Sequence, residues 1–178
     1  MPSYFDYFEM KPSFTIDKGQ LKRKFIQLSR ESHPDFHTLE DGETQESILA
    51  RSTEINKAYE VLRNGQKRMK YILHLYDVMG PEGENKLPQA FLMEMMDINE
   101  TIMDIQMDFD AEKMETIKEA IAKFEATLLA DAQPAMDAFD EDGDIVHLEK
   151  VKDYYLKHKY LVRIKENLDT FASGEVRM

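Results

Sequence analysis

Apolar residues that recur at helical spacing constrain the fold of this chain more than any other feature. In the segment 91–109 they step by four and three residues, and in the segment 114–128 by three and four. A third such series runs through residues 145–171. Helices present apolar residues with this period, and the alternation of β-branched residues that indicates strands is absent from the sequence. The sequence therefore predicts an all-α fold.

Helix-breaking residues separate these segments. Clusters of Pro, Gly and Asp occur at residues 33–42, 80–88 and 134–143. Proline removes a backbone donor and glycine tolerates non-helical conformations, so helices commonly end at such clusters. We therefore expect a helix boundary at each of the three.

The distribution of charge predicts two modules. Residues 1–80 contain twelve basic and twelve acidic side chains, whereas residues 81–178 contain eleven basic and twenty-three acidic ones, which accounts for the net charge of −12. Because the change coincides with the second breaker cluster, we place the modules at residues 1–79 and 80–178. The apolar series of the second module have a period that packs helices at small crossing angles, so a three-helix bundle is expected there.

The first module is predicted to contain an antiparallel pair of helices. One has an apolar series at residues 21–28 and ends before Pro34, because proline disfavours a helical conformation in the residue that precedes it. The other covers residues 48–62 and ends at Asn64-Gly65, a favourable helix terminator. A loop of about ten residues would then lie exposed at the tip of the hairpin. A short helix around residues 69–76 follows.

His33 and Asp35, near the first helix break, raise the question of catalysis. General acid–base chemistry needs a carboxylate that orients the imidazole, together with a nucleophile or a bound water. The neighbouring residues supply no nucleophile, so an enzyme is disfavoured. Taken as an isolated tripeptide, His33-Pro34-Asp35 is interpreted as a helix-stopping proline between two solvated polar residues.

The surroundings of this tripeptide change its interpretation. A basic helix, then His33-Pro34-Asp35 on a loop, then a helix that ends with residues 55–62 (Ile-Asn-Lys-Ala-Tyr-Glu-Val-Leu) together resemble a J-domain. Arg68-Met69-Lys70-Tyr71 resembles the start of the short last helix of that fold. The opening residues 4–17 and the sequence Phe91-Leu92-Met93-Glu94 are similar to the HscB branch of J-domain proteins in particular. The resemblance covers nearly the whole chain.

The resemblance implies a chaperone-binding surface on the first module. A J-domain binds the nucleotide-binding domain of a chaperone ATPase of the DnaK or HscA type, and His33, Pro34 and Asp35 would contact that chaperone and promote its ATP hydrolysis. Four basic residues of the preceding helix would face an acidic surface on the chaperone, where opposite charge mainly speeds and orients the encounter. The alternative for them is an ordinary solvated helix face. These residues are Lys22, Arg23, Lys24 and Arg30.

Some positions depart from the J-domain pattern. Phe36 stands where many J-domains have lysine, and Ile26 and Gln27 stand where some are basic. These departures imply a chaperone contact that is weaker or tuned to a dedicated partner. The cysteine motifs of large DnaJ proteins are absent, because the sequence has no cysteine.

The predicted helix 91–109 has a second apolar face that is rich in methionine. At 100° per residue, this face lies roughly 100–160° away from the 4-3 series, and carboxylates border it. Part of it could be buried against the third helix, with Met103 the first candidate for burial, or it could be an exposed patch for a partner, for which flexible Met side chains are suited. The residues alone leave both interpretations open. The apolar members are Leu92, Met93, Met96, Met103 and Met107.

The resemblance favours the partner surface. Proteins of the HscB family bind an IscU-type iron–sulfur scaffold protein through this helix and an aromatic residue of the last helix. The whole chain would then act as an adaptor that delivers the scaffold to the chaperone, although a general J-domain co-chaperone with a different client remains the alternative. The corresponding positions are Leu92, Met93, Met96, Asp97, Glu100, Asp104 and Tyr160.

A calcium site is disfavoured although part of its pattern is present. Residues from Asp140 to Glu149 match positions 3, 5, 6, 8 and 12 of a calcium-loop template, but the first ligand position is Ala138, which has no side-chain oxygen. The simpler interpretation is an acidic interhelical loop in which Asp144 caps a helix. His33 and His37 are four residues apart, but a proline-containing loop does not place them on one helix face, so no metal site is expected there.

Several other classes of function are disfavoured as well. Nucleic-acid binding relies on basic residues that neutralise phosphates, so the acidic second module predicts no nucleic-acid partner. Tyrosines 154, 155 and 160 are accordingly assigned to bundle packing and not to base stacking. No basic segment followed by an apolar run opens the sequence, and no run approaches the roughly 20 apolar residues of a membrane helix. Together with the lack of cysteine, this predicts a cytoplasmic protein that needs no cofactor.

Overall fold

The computed structural model describes residues 2–32, 42–81 and 85–172, except for the side chains of residues 42, 43 and 172. Within these ranges the chain forms helices and no strand, so the predicted all-α fold is confirmed. The helices are α1 (Tyr4–Tyr7), α2 (Lys18–Glu31), α3 (Gly42–Leu62), α4 (Gly65–Leu75), α5 (Gln89–Met107), α6 (Ala111–Asp142) and α7 (Leu148–Ala172), with a 3-10 turn (Ile145–His147) before α7. None of these helices combines the length and the apolar character that crossing a membrane requires.

The chain divides into two compact units. The first comprises the residues up to Asp77 together with Phe139–Gly143, and the second comprises Val78–Ala138 together with the residues from Asp144 onward. The last turn of α6 is thus part of the first unit.

In the first unit, α2 and α3 form the predicted antiparallel pair. The Asp17 carboxylate caps α2 by accepting hydrogen bonds from the Gln20 and Gly19 amides at 3.0 and 2.7 Å, and these bonds lower the pKa of Asp17. The ring of Phe25 stacks on Tyr59 with 3.9 Å between ring centroids, which joins α2 to the C-terminal part of α3. The unit has an apolar core to which all its helices contribute. Its most deeply buried side chains are Phe5, Phe8, Leu21, Ile55, Leu62, Ile72, Leu73 and Phe139.

A buried arginine connects α4 to the rest of the first unit. Arg68 is 7% exposed, and its guanidinium donates to the Phe14 carbonyl from Nε at 3.2 Å and from Nη2 at 2.6 Å, while Nη1 donates to the Leu62 carbonyl. The Asp140 carboxylate accepts hydrogen bonds from the Phe14 and Thr15 amides at 2.6 and 2.8 Å. Burial lowers the pKa of Arg68, and the Asp140 charge partly opposes this. Because arginine starts from a very high pKa, the group stays charged at neutral pH.

We expect Arg68→Ala to lower the free energy of unfolding by about 3 kcal/mol, because it leaves the carbonyls of Phe14 and Leu62 without their donor. Urea denaturation measures this loss. The control is Arg63→Ala. Arg63 is exposed in the turn after α3, and its Nη2 lies 3.0 Å from Glu60 Oε2 on the surface of that helix. An exposed ion pair of this kind contributes about 1 kcal/mol or less to stability. Equal losses in the two variants would contradict the structural role assigned to Arg68.

In the second unit, α5, α6 and α7 form the predicted three-helix bundle. Its core contains the first apolar series of α5 and matching residues of the other two helices. These residues are Phe91, Met95, Ile102, Ile105, Met114, Ile117, Ile121, Leu161, Ile164 and Leu168. Phe109 was expected to extend the α5 series, but it follows the end of the helix and is exposed.

The breaker cluster at residues 134–143 does not end a helix at its first residue. Helix α6 continues through Pro134 to Asp142, so the predicted boundary falls at the far end of the cluster. Proline costs a helix one hydrogen bond and some steric strain, but packing can outweigh this. Here Ala132 and Met136, on either side of Pro134, are both buried. The helix ends instead at Gly143, whose φ of 72° favours glycine.

Candidate partner-binding surfaces

The tripeptide His33-Pro34-Asp35 lies outside the described residues, as do Phe36 and His37. The structure does describe the helix that precedes the tripeptide and the helix that follows it. Helix α2 ends just before the tripeptide, where the Ser32 amide donates to the Leu28 carbonyl at 3.0 Å. Helix α3 begins at Gly42. The tripeptide therefore follows directly on α2, in the connection between two helices that pack on each other.

The basic residues of α2 differ in their surroundings. Lys22, Arg23 and Arg30 are exposed. Lys24 is half-buried and forms a short ion pair with Glu9. Three of the four predicted contact residues thus present their charge to solvent, whereas an approaching acidic surface would compete with Glu9 for Lys24.

The second apolar face of α5 is solvent-exposed. Met93, Met96 and Met103 are 61%, 58% and 61% exposed, and Leu92 and Met107 are exposed as well. Met103, the first candidate for burial on this face, is thus exposed as well. The physical reason is that the bundle core takes up the opposite face of α5, the face that contains Met95.

Carboxylates accompany this apolar face along the helix. Asp97, Glu100 and Asp104 are exposed, and α5 contains no lysine or arginine in its sequence. An exposed apolar patch bordered by charge of one sign is typical of a binding surface for a partner of opposite charge. We call the exposed residues Leu92, Met93, Met96, Asp97, Glu100 and Asp104 the α5 patch.

Tyr160 of α7 lies beside α5. Its hydroxyl accepts a hydrogen bond from Asn99 Nδ2 at 3.1 Å, and its ring meets Phe91 edge-on with 5.6 Å between centroids. The guanidinium of Arg163 lies 5.5 Å from the centre of the Tyr160 ring. Because Asn99 is one turn beyond Met96 on α5, the half-buried Tyr160 borders the α5 patch.

Sequence reasoning missed Asn99 and Arg163. Asn99 is a polar residue at the junction between the buried and exposed faces of α5, a position that the helical period identifies. No pattern in the sequence indicates that it pairs with a tyrosine 61 residues away.

The carboxylates of the calcium-like segment have structural partners. Asp140 accepts the two backbone hydrogen bonds described above. Asp144 accepts one from the Val146 amide at 3.0 Å and caps the 3-10 turn, which confirms the predicted capping role. Glu149 Oε2 lies 3.9 Å from Lys152 Nζ. Each of these three carboxylates thus has an interaction partner within the chain.

We predict that millimolar calcium leaves the helicity and the melting temperature of the protein unchanged. The reason is that Ala138 cannot supply the first ligand and that Asp140 would have to give up its backbone hydrogen bonds. Circular dichroism with calcium, and with magnesium as the control, measures both quantities. Saturable calcium binding in calorimetry would contradict the prediction.

Two family models match the chain. Residues 3–71 match the model described as DnaJ domain, and residues 87–169 match the one described as HSCB C-terminal oligomerisation domain. The first match covers the helices α1 to α3 and the first part of α4, and the second covers most of the three-helix bundle.

Individual relatives agree with the family models. The chain is 28% identical to a co-chaperone protein HscB homolog of Shewanella frigidimarina, over 93% of this chain and 98% of the relative. It is 30% identical to the iron-sulfur cluster co-chaperone protein HscB of Mus musculus, over 93% of this chain and 67% of the relative. The crystal structure of human co-chaperone protein HscB is similar with a TM-score of 0.73 and 25% identity, over 97% of this chain and 83% of that one.

Proposed function

The chain belongs to the HscB family of J-domain co-chaperones, which serve iron–sulfur cluster assembly, and we propose that it acts as an adaptor between two proteins. One partner is a chaperone ATPase of the HscA or DnaK type. The other is an IscU-type iron–sulfur scaffold protein. The observation that carries the proposal is the exposed α5 patch on a compact unit of its own, separate from the α2–α3 pair.

The first unit supplies the chaperone contact in this proposal. His33, Pro34 and Asp35 would act on the chaperone's nucleotide-binding domain, and exposed Lys22, Arg23 and Arg30 would orient the encounter with an acidic surface. The chaperone hydrolyses the ATP, and this chain performs no covalent chemistry of its own. Because the cations are exposed, they contribute more to the association rate than to the affinity.

The second unit supplies the scaffold contact. Leu92, Met93 and Met96 provide an apolar centre that is exposed in the free protein, and Tyr160 adds an aromatic edge beside it. Burying these side chains in a complex is favourable because it removes apolar area from water. The carboxylates of the α5 patch select a scaffold surface that carries basic residues.

The proposed adaptor mechanism follows from having the chaperone contact and the scaffold contact in one chain. A scaffold bound to the second unit reaches the chaperone's substrate cleft at a raised local concentration, with no new contact required. ATP hydrolysis then traps the scaffold on the chaperone and favours cluster transfer. We keep the cytoplasm as the proposed compartment, a reducing one that suits a sequence without cysteine.

A steady-state ATPase assay tests the adaptor function. The cognate HscA-type chaperone is measured with this protein and with the scaffold, added separately and together. We expect the two together to stimulate hydrolysis more than the sum of their separate effects. Stimulation by this protein that the scaffold leaves unchanged would instead favour a general J-domain co-chaperone, whose client a pull-down would then identify.

A further inference from the structure

The exposed apolar surface of α5 does not end at the α5 patch. Met103 and Met107 are 61% and 86% exposed, and they follow Leu92 by 11 and 15 residues. In an α-helix these spacings return to the same side, as does the spacing of four that leads to Met96. Leu92, Met96, Met103 and Met107 thus form one apolar stripe, which extends about 22 Å along the helix axis.

The charge beside the stripe restricts what can cover it. Asp97, Glu100, Asp104 and Asp108 are all exposed, and the sequence of α5 offers no lysine or arginine to balance them. Two copies of this face would bring carboxylates against carboxylates, which is unfavourable. A partner with lysines or arginines beside an apolar ridge is complementary along the whole stripe.

We propose that the scaffold-binding surface extends over the full length of α5, with Met103 and Met107 as additional contact residues. The inference rests on the proposed function and enlarges its scaffold site. The partner region it fits is an elongated apolar ridge with a row of basic residues along one side. Methionine suits the far end of such a surface, because its flexible side chain adapts to the partner and makes favourable contacts through sulfur.

The double variant Met103→Ala/Met107→Ala tests this extension. We expect its dissociation constant for the IscU-type scaffold, measured by calorimetry, to rise about tenfold or more. The salt dependence of binding should stay the same, because no charge is removed. The melting temperature should also stay the same, because both side chains are exposed in the free protein.

The matched control is Leu129→Ala/Val146→Ala. It also removes two exposed apolar side chains from the second unit, one from α6 and one from the 3-10 turn. Its affinity for the scaffold should equal that of the unchanged protein.

Three results would overturn the inference, and they can be told apart. Unchanged affinity of the Met103/Met107 variant, with binding lost on truncation of Leu92, Met93 and Met96, would end the surface at Met96 and leave the proposed function intact. No scaffold binding by the unchanged protein would reject the proposed function itself. The third result is a Met103/Met107 variant with unchanged scaffold affinity that sediments as a monomer where the unchanged protein sediments as a dimer. It would assign the stripe to a second copy of this chain.

Discussion

The variant His33→Gln should lose its stimulation of the chaperone ATPase while its melting temperature stays the same. The tripeptide follows α2 in the connection to α3, and the two helices have their own packing contacts. Leu21 is fully buried, and Phe25 stacks on Tyr59. Neither of these contacts involves His33, so we expect its substitution to have little effect on folding, because substitutions that remove no packing contact usually alter stability by about 0.5 kcal/mol or less.

The measurement for His33→Gln is steady-state ATP hydrolysis by the cognate chaperone over a range of co-chaperone concentrations. Thermal unfolding of the variant is followed in parallel. His74→Gln is the matched control, because His74 is an exposed histidine on α4 of the same unit, and it should stimulate normally. Full stimulation by His33→Gln would remove the tripeptide from the mechanism, and a large drop in melting temperature would make it structural.

The triple variant Leu92→Ala/Met93→Ala/Met96→Ala should stay folded and lose scaffold binding. All three side chains are exposed, so their removal opens no cavity in the free protein. Truncating an interface anchor of this kind typically costs about 2 kcal/mol or more, and such costs are not additive, so we expect the three truncations together to lower the affinity at least about a hundredfold. The variant should still stimulate the basal ATPase of the chaperone, because that step depends on the first unit.

The neighbouring residue Met95 provides the control for the triple variant. Met95 is 1% exposed and lies in the bundle core, whereas Met96 is 58% exposed. Met95→Ala should therefore lower the free energy of unfolding by about 2–5 kcal/mol, while Met96→Ala alone should leave it nearly unchanged. Calorimetric titration with the scaffold and thermal unfolding measure the two effects. A folded triple variant with unchanged affinity would move the scaffold site away from α5.

The all-α fold and the core face of each bundle helix could be predicted from the sequence alone. The helical period places Phe91, Met95, Ile102 and Ile105 on one side of α5, and all four are buried. This works because the period is a local property of the backbone, which determines which side chains share a face whatever packs against them. The resemblance to the J-domain and HscB sequences likewise depends on residue identities and their spacing.

Only the tertiary structure decides which of two apolar faces is covered. The residues alone left the second face open as core or partner surface, and Met103 on that face is exposed because α6 and α7 pack on the other side of α5. Pro134, the first residue of the third breaker cluster, lies inside α6, because burial of its neighbours outweighs a local propensity of a few kcal/mol. The Arg68 bonds to Phe14, across 54 residues, and the Asp140 bonds to Phe14, across 126, have no signature in the sequence. Such contacts depend on where the fold places distant segments, which local spacing does not encode.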